Sequence, residues 1–135
     1  MDKGHMPSSY VKGRKFEYTV RAKFAKHGYL SIRASSSKGT PKGQHPLDIV
    51  AIKNGKVIMV ECKMQREKIT LQLLKEMEEL GEKYGVNTVI VHSNSRITCI
   101  IVHDKDGIVN DMKNIFEEVK IAKIFNGGYE LIEVK

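Results

Sequence analysis

Phe16, Val20 and Phe24 recur at every fourth position with charged residues between them and Gly28 just beyond. That spacing predicts an amphipathic helix over about residues 11–27 with a glycine stop, and Glu17 flanks its apolar stripe. From Tyr29 to Ala34 the pattern switches to alternation, the mark of a half-buried strand. Residues 35–46 (SSSKGTPKGQHP) then interrupt it with turn formers and lysines, which read as a basic loop. Two apolar runs follow, Asp48 leading into Ile49–Ile52 and Val57–Met64. Asn54-Gly55 between them predicts a tight type I′ hairpin, so the two strands should be antiparallel neighbours.

Further on, Thr70 predicts the N-cap of a second helix running to about Tyr84, with Leu73, Leu74, Met77 and Leu80 on one face and Gly85 at its end. Strands are predicted over 87–92 and 96–103, and a short helix over about 109–119 after Asp106-Gly107. The tail, KIAKIFNGGYELIEVK, has two readings: a hairpin about Asn126-Gly127-Gly128, or a helical first arm. Taken together the order is αβββαββα, an α/β chain with a central mixed five-stranded sheet flanked by helices.

Composition agrees with one ordinary globular domain. The chain has 135 residues, 41% of them hydrophobic and 29% charged, enough to bury roughly two-thirds of its unfolded surface. The opening MDKGHM reads as an expression-tag remnant, so residues 1–7 are set apart and 8–135 are taken as a single domain. Apolar runs are strand-sized, far short of the ~20 residues of a membrane span, and no export signal opens the chain; the expected setting is the cytoplasm, with no membrane partner. Cys62 and Cys99 fall inside apolar strands, as small buried thiols do.

Charge changes the picture because it is unevenly placed. Residues 1–45 hold ten lysines and arginines against Asp2 and Glu17, a surplus of eight, whereas the other ninety hold thirteen against fourteen. A basic segment on a near-neutral body suits a phosphate backbone. A solvated basic face would look the same.

Three charges in an otherwise apolar hairpin narrow the choice. Asp48, Glu61 and Lys63 lie where buried charge is costly unless paired or placed on a metal. Strand alternation puts Glu61 and Lys63 on one face and Cys62 on the other, and the hairpin brings Asp48 to the same edge. An isolated Glu-x-Lys is more often a same-face ion pair. Here the pair sits inside an apolar strand, with Asp48 at the matching offset and a basic loop beside it. Two carboxylates offer hard oxygen ligands to Mg²⁺, and the amine orients or helps deprotonate water and offsets phosphate charge, a metal-dependent phosphodiesterase constellation. His27, His45, His92 and His103 lack zinc-like spacing and read as structural or surface residues, with His45 the one nearest Asp48. Tyr18 and Tyr29 read as core or rim aromatics, with stacking on unpaired bases the alternative.

Asp48 and Glu61-Cys62-Lys63 on consecutive strands, after a helix bearing Glu17, resemble the PD-(D/E)xK nucleases and their restriction-endonuclease-like fold. The closer likeness is to archaeal Holliday junction resolvases: Lys12-Gly13-Arg14-Lys15-Phe16-Glu17, then Arg33 and Ser37, then Pro46-Leu47-Asp48-Ile49-Val50-Ala51, the Lys53-Asn54-Gly55 turn and Val60-Glu61-Cys62-Lys63. Tyr18 stands where these resolvases often have Arg, and Lys38 where Gly is usual. The resemblance implies a catalytic set of Glu17, Ser37, Asp48, Glu61 and Lys63. Within it Asp48, Glu61 and Glu17 would hold Mg²⁺, with Mn²⁺ able to substitute, and Ser37 would act from the loop near the scissile phosphate. It further implies DNA contacts from Lys12, Arg14, Lys15, Arg33, Lys38 and Lys42, a homodimer acting on four-way junction DNA in recombination and repair, and nucleoid association. Alternatives are a related repair or restriction-type nuclease on duplex, nicked or flapped DNA, a non-catalytic DNA-binding module, and an RNA-binding basic domain.

Overall fold

A computed structural model describes residues 8–34 and 47–135. Helix α1 (Ser8–Lys26) is followed by strands β1 (Leu30–Arg33), β2 (Ile49–Lys53) and β3 (Lys56–Lys63), then a 3₁₀ turn (Arg66–Lys68) and α2 (Leu71–Tyr84). Strands β4 (Asn87–Ser93) and β5 (Ile97–His103), helix α3 (Val109–Ile115), and strands β6 (Glu118–Phe125) and β7 (Gly128–Glu133) complete the chain. All seven strands form one sheet in the order β1-β2-β3-β4-β5-β6-β7.

Neighbours are antiparallel except β3/β4 and β5/β6, which are parallel and joined through α2 and α3. Because β3 and β5 run in opposite directions while both crossovers step the same way along the sheet, right-handed connection puts the two helices on opposite faces. The cores follow that division. On one face Phe16, Val20 and Phe24 of α1 and Met112 and Ile115 of α3 pack on Ile49, Ala51, Ile58, Val60, Val89, Val91 and Ile101. On the other, Leu74, Met77 and Leu80 of α2 cover Ile90, Ile100 and Val102. β4 is buried along almost its whole length, as a central strand covered on both sides must be.

Local signals place most elements. Thr70 Oγ1 accepts the Leu73 N–H at 3.1 Å, and Gly85 ends α2 in the left-handed region at φ 65°. Asn54 (φ 50°) and Gly55 (φ 79°) are both left-handed, the signature of a type I′ turn. Thr70→Ala should cost about 1 kcal/mol in urea unfolding; an unchanged midpoint would mean that the first turn of α2 is held by packing alone.

The expected five-stranded αβββαββα order needs correction. The third helix stops at Ile115, where Phe116 turns extended (φ −114°, ψ 148°) and sets its ring edge-on to Phe24 with centroids 5.5 Å apart. Residues 118–133 then form a hairpin, the first of the two readings of the tail, whose strands extend the sheet to seven. Among the described residues no helix is long and apolar enough to cross a membrane.

Candidate active site

Strand direction brings the chemistry to one end of the sheet. β1 ends there with Arg33, Asp48 enters β2, and β3 leaves with Glu61, Cys62 and Lys63. α1 crosses the same end, where Arg33 Nε donates to Glu17 Oε1 at 2.9 Å. Asp48 is pinned by the backbone: its Oδ2 accepts the Cys62 N–H at 2.7 Å, and its own N–H donates to Val60 O at 3.2 Å. Lys63 Nζ stands 3.8 Å from Glu61 Oε2. Cys62 points away, against the α1 core, so alternation along β3 sorts the site from the interior.

Three carboxyl groups crowd this corner. Burial pushes the Glu61 carboxyl up to about 9, the hydrogen bond to Asp48 and its negative charge add to the rise, and Lys63 offsets part of it. Burial also raises Glu17, against the lowering effect of the Arg33 hydrogen bond, and Asp48 adds to the rise. The Cys62 thiol is pushed far up by burial and then by Asp48, Glu17 and Glu61, which removes it as a nucleophile. A corner where burial and neighbouring carboxylates disfavour the charged form of Glu61 and Glu17 is a place where a cation lowers the energy.

Among the described residues no three His, Cys, Asp or Glu side chains stand ready-made around a metal. Mg²⁺ does not need three, because it binds through one or two carboxylates and completes its shell with water and phosphate oxygens. Asp48 and Glu61, hard oxygen donors in contact with each other, fit that requirement. Glu17, tied to Arg33 and Asp48, stands next to the pair.

A carboxyl whose folded pKa lies above its unfolded value of 4.5 holds its proton more tightly in the fold. Its contribution to stability is present below about pH 4.5 and is lost as pH climbs toward 9. Glu61→Gln should therefore flatten part of the fall of Tm with rising pH measured in EDTA, and should be the more stable protein at the alkaline end. Parallel curves for the two proteins would show Glu61 to be ionised throughout.

Of the other expected residues, Lys12, Arg14 and Lys15 lie exposed on α1 ahead of Glu17. Arg33 is engaged by Glu17, a partner the sequence did not indicate. Ser37, Lys38, Lys42 and His45 lie outside the described residues. Tyr29 is core and Tyr18 is exposed. His27 and His103 are structural, bound through Nδ1 to Lys23 O and Val86 O. His92 differs: it is buried at the same sheet end, opposite Lys63 in register, beside a polar group formed by Arg66, Thr98, Glu118 and Lys120. These residues are scattered over more than fifty positions, and only the alternation of Glu118 and Lys120 hinted at a strand face.

The family model described as archaeal Holliday junction resolvase matches residues 8–86, which include Glu17, Asp48, Glu61 and Lys63. No curated protein sequence matches the chain. Among solved structures it is similar to Archaeoglobus fulgidus Hjc, a Holliday junction resolvase from an archaeal hyperthermophile, at 20% identity and a TM-score of 0.51. The likeness covers 64% of this chain and 73% of that one, and it bears on the fold alone.

Proposed function

Because this chain belongs to the archaeal Holliday junction resolvase family, we propose that it is a Mg²⁺-dependent, structure-selective endodeoxyribonuclease that resolves four-way DNA junctions by paired phosphodiester hydrolysis. The observation that carries the chemistry is the half-buried contact of Glu61 with Asp48 and Lys63 at one sheet end, beside Glu17 and Arg33.

Asp48 and Glu61 would hold the ion, with Glu17 a further ligand directly or through water. When bound, Mg²⁺ supplies Lewis acidity at the scissile phosphate and acidifies the attacking water. Lys63, beside Glu61, would orient that water in line with phosphorus and offset the charge that grows on the phosphoryl oxygens. Attack forms the new P–O bond as the bond to the 3′ oxygen breaks, the leaving oxygen takes up a proton, and a 5′-phosphate and a 3′-hydroxyl result. Arg33 holds Glu17 toward Asp48 and, with Lys12, Arg14, Lys15, Lys38 and Lys42, offers positive charge to the backbone. Ser37 would act near the scissile phosphate. A two-fold homodimer gives two such sites for the two opposed strands of a pseudo-symmetric junction.

Labelled four-way junction, nicked duplex, flap and linear duplex, each with Mg²⁺ and with EDTA, test this together. Paired symmetric cuts confined to the junction are expected, lost in EDTA. Metal-dependent cutting of the other substrates would keep the site and overturn the junction assignment. Binding with no cutting anywhere would leave a DNA-binding module.

A further inference from the structure

The same end of the sheet continues past Lys63 into a cleft that this reading leaves unused. The cleft has a volume of about 360 Å³ and is lined by Arg66, His92, Arg96, Thr98, Glu118 and Lys120 among others. His92 is 3% exposed and faces it, and neither ring nitrogen has a partner among the described residues. Buried polar atoms left in that condition mark a place for a ligand or water. Glu118 is already committed, accepting from Thr98 Oγ1 at 2.9 Å and standing 3.7 Å from Lys120 Nζ. Arg66 and Arg96 have no carboxylate partner among the described residues.

Building on the DNA reading above, we propose that this cleft is a second phosphate subsite, which receives a backbone phosphate of the DNA strand lying across the Asp48–Glu61–Lys63 end of the sheet.

The chemistry selects the ligand. Two guanidinium forks and an ammonium against one engaged carboxylate favour an anion over a metal cation, and planar forks match phosphate oxygens. Burial, Lys120 and Arg66 hold His92 below its usual range, so the ring stays neutral and offers one N–H donor to a phosphate oxygen. Among the described residues no Phe, Tyr or Trp lines the cleft to stack on a base.

Position links it to the reaction. β3 and β4 are parallel neighbours with Lys63 opposite His92, and Arg66 follows Lys63 by three residues. β5 and β6 bring Thr98 and Glu118 to the same end. At ~4.8 Å per strand the cleft centre lies roughly 10 Å from Lys63, within reach of a phosphate adjacent or next-but-one to the scissile one on the same strand. Apart from Arg66, its residues fall outside the 8–86 family match, so the subsite belongs to this chain's own C-terminal half.

The test uses the full chain in EDTA, so that DNA stays uncut. Ring ¹⁵N resonances of His92 are followed while inorganic phosphate or four-way junction is added, and junction affinity is measured against salt for wild type and for the Arg66→Gln, Arg96→Gln pair. The expected result is a His92 shift with both probes, with a log–log salt slope shallower by about one in the variant. Junction binding with a silent His92 overturns the inference and spares the proposed function. A shift with phosphate but an unchanged slope overturns the assignment to DNA, because the cleft then takes free phosphate. Absence of any junction binding overturns this inference and the function together.

Discussion

Asp48→Asn should lower single-turnover cleavage of a four-way junction by about 10³-fold, ~4 kcal/mol in the barrier, while affinity for the junction in EDTA stays within about twofold. The substitution removes one negative charge from the corner where Asp48 meets Glu61 and Glu17. It keeps an acceptor for the Cys62 N–H, which Asp48 Oδ2 holds at 2.7 Å, so β2 and β3 remain pinned together. Asp48→Ala is the poorer experiment, because it strands that N–H at a cost of about 1–3 kcal/mol and mixes stability with catalysis. The surface lysines and arginines of α1, proposed above to meet the DNA backbone, are untouched, so binding should survive. Cleavage by Asp48→Asn at the wild-type rate would remove Asp48 from the site, and a parallel loss of binding would assign it to DNA contact instead of metal charge.

The second large effect concerns stability, and its sign is the point. Gly81 lies in the interior of α2, where helix propensity alone says that alanine is better by about 1 kcal/mol. The tertiary structure says the opposite. A methyl group at Gly81 would lie 2.5 Å from Cβ, Cγ and Nδ1 of His103. His103 has little freedom to retreat: its Nδ1 bonds to Val86 O at 2.8 Å, and Val86 N donates to Gly81 O at 3.1 Å, so helix, connection and strand are tied in a ring. Gly81→Ala should therefore destabilise by about 1–3 kcal/mol in urea unfolding, through overpacking of α2 against β5. A gain in stability would mean that α2 moves off the sheet without loss.

Much of the architecture was legible before any coordinates. The four-residue repeat of Phe16, Val20 and Phe24 needs a helix to become one face, and that face is buried. Asn54-Gly55 admits few backbones other than the tight turn that sets β2 against β3, and this turn fixes the register that brings Asp48 beside Cys62. The charged trio was readable for the same reason: two short-range rules, strand alternation and hairpin offset, suffice to bring it together. Glu17 was legible only through resemblance, since nothing local says that α1 will cross the end of β1.

The tail shows where local rules run out. Residues 109–119 have helical periodicity as far as Ile115, and what ends the helix is Phe116 finding the ring of Phe24 more than ninety positions earlier in the chain. Propensity does not encode that contact, so periodicity alone carries the expected third helix past Ile115 and admits two readings of the hairpin behind it, which takes the sheet from five strands to seven. What the sequence by itself determined is whatever depends on neighbours within a turn or a hairpin: the helix faces, the caps, the β2–β3 register and the Asp48, Glu61, Lys63 set. What only the tertiary structure decided depends on strand order and direction: the opposite faces taken by α2 and α3, the Arg33–Glu17 pair, the clash waiting at Gly81, and the row that carries one sheet end from Lys63 past His92 to Glu118. The physical reason is that parallel pairing joins residues through long crossovers, and long-range contacts of that kind leave no periodic trace in the chain.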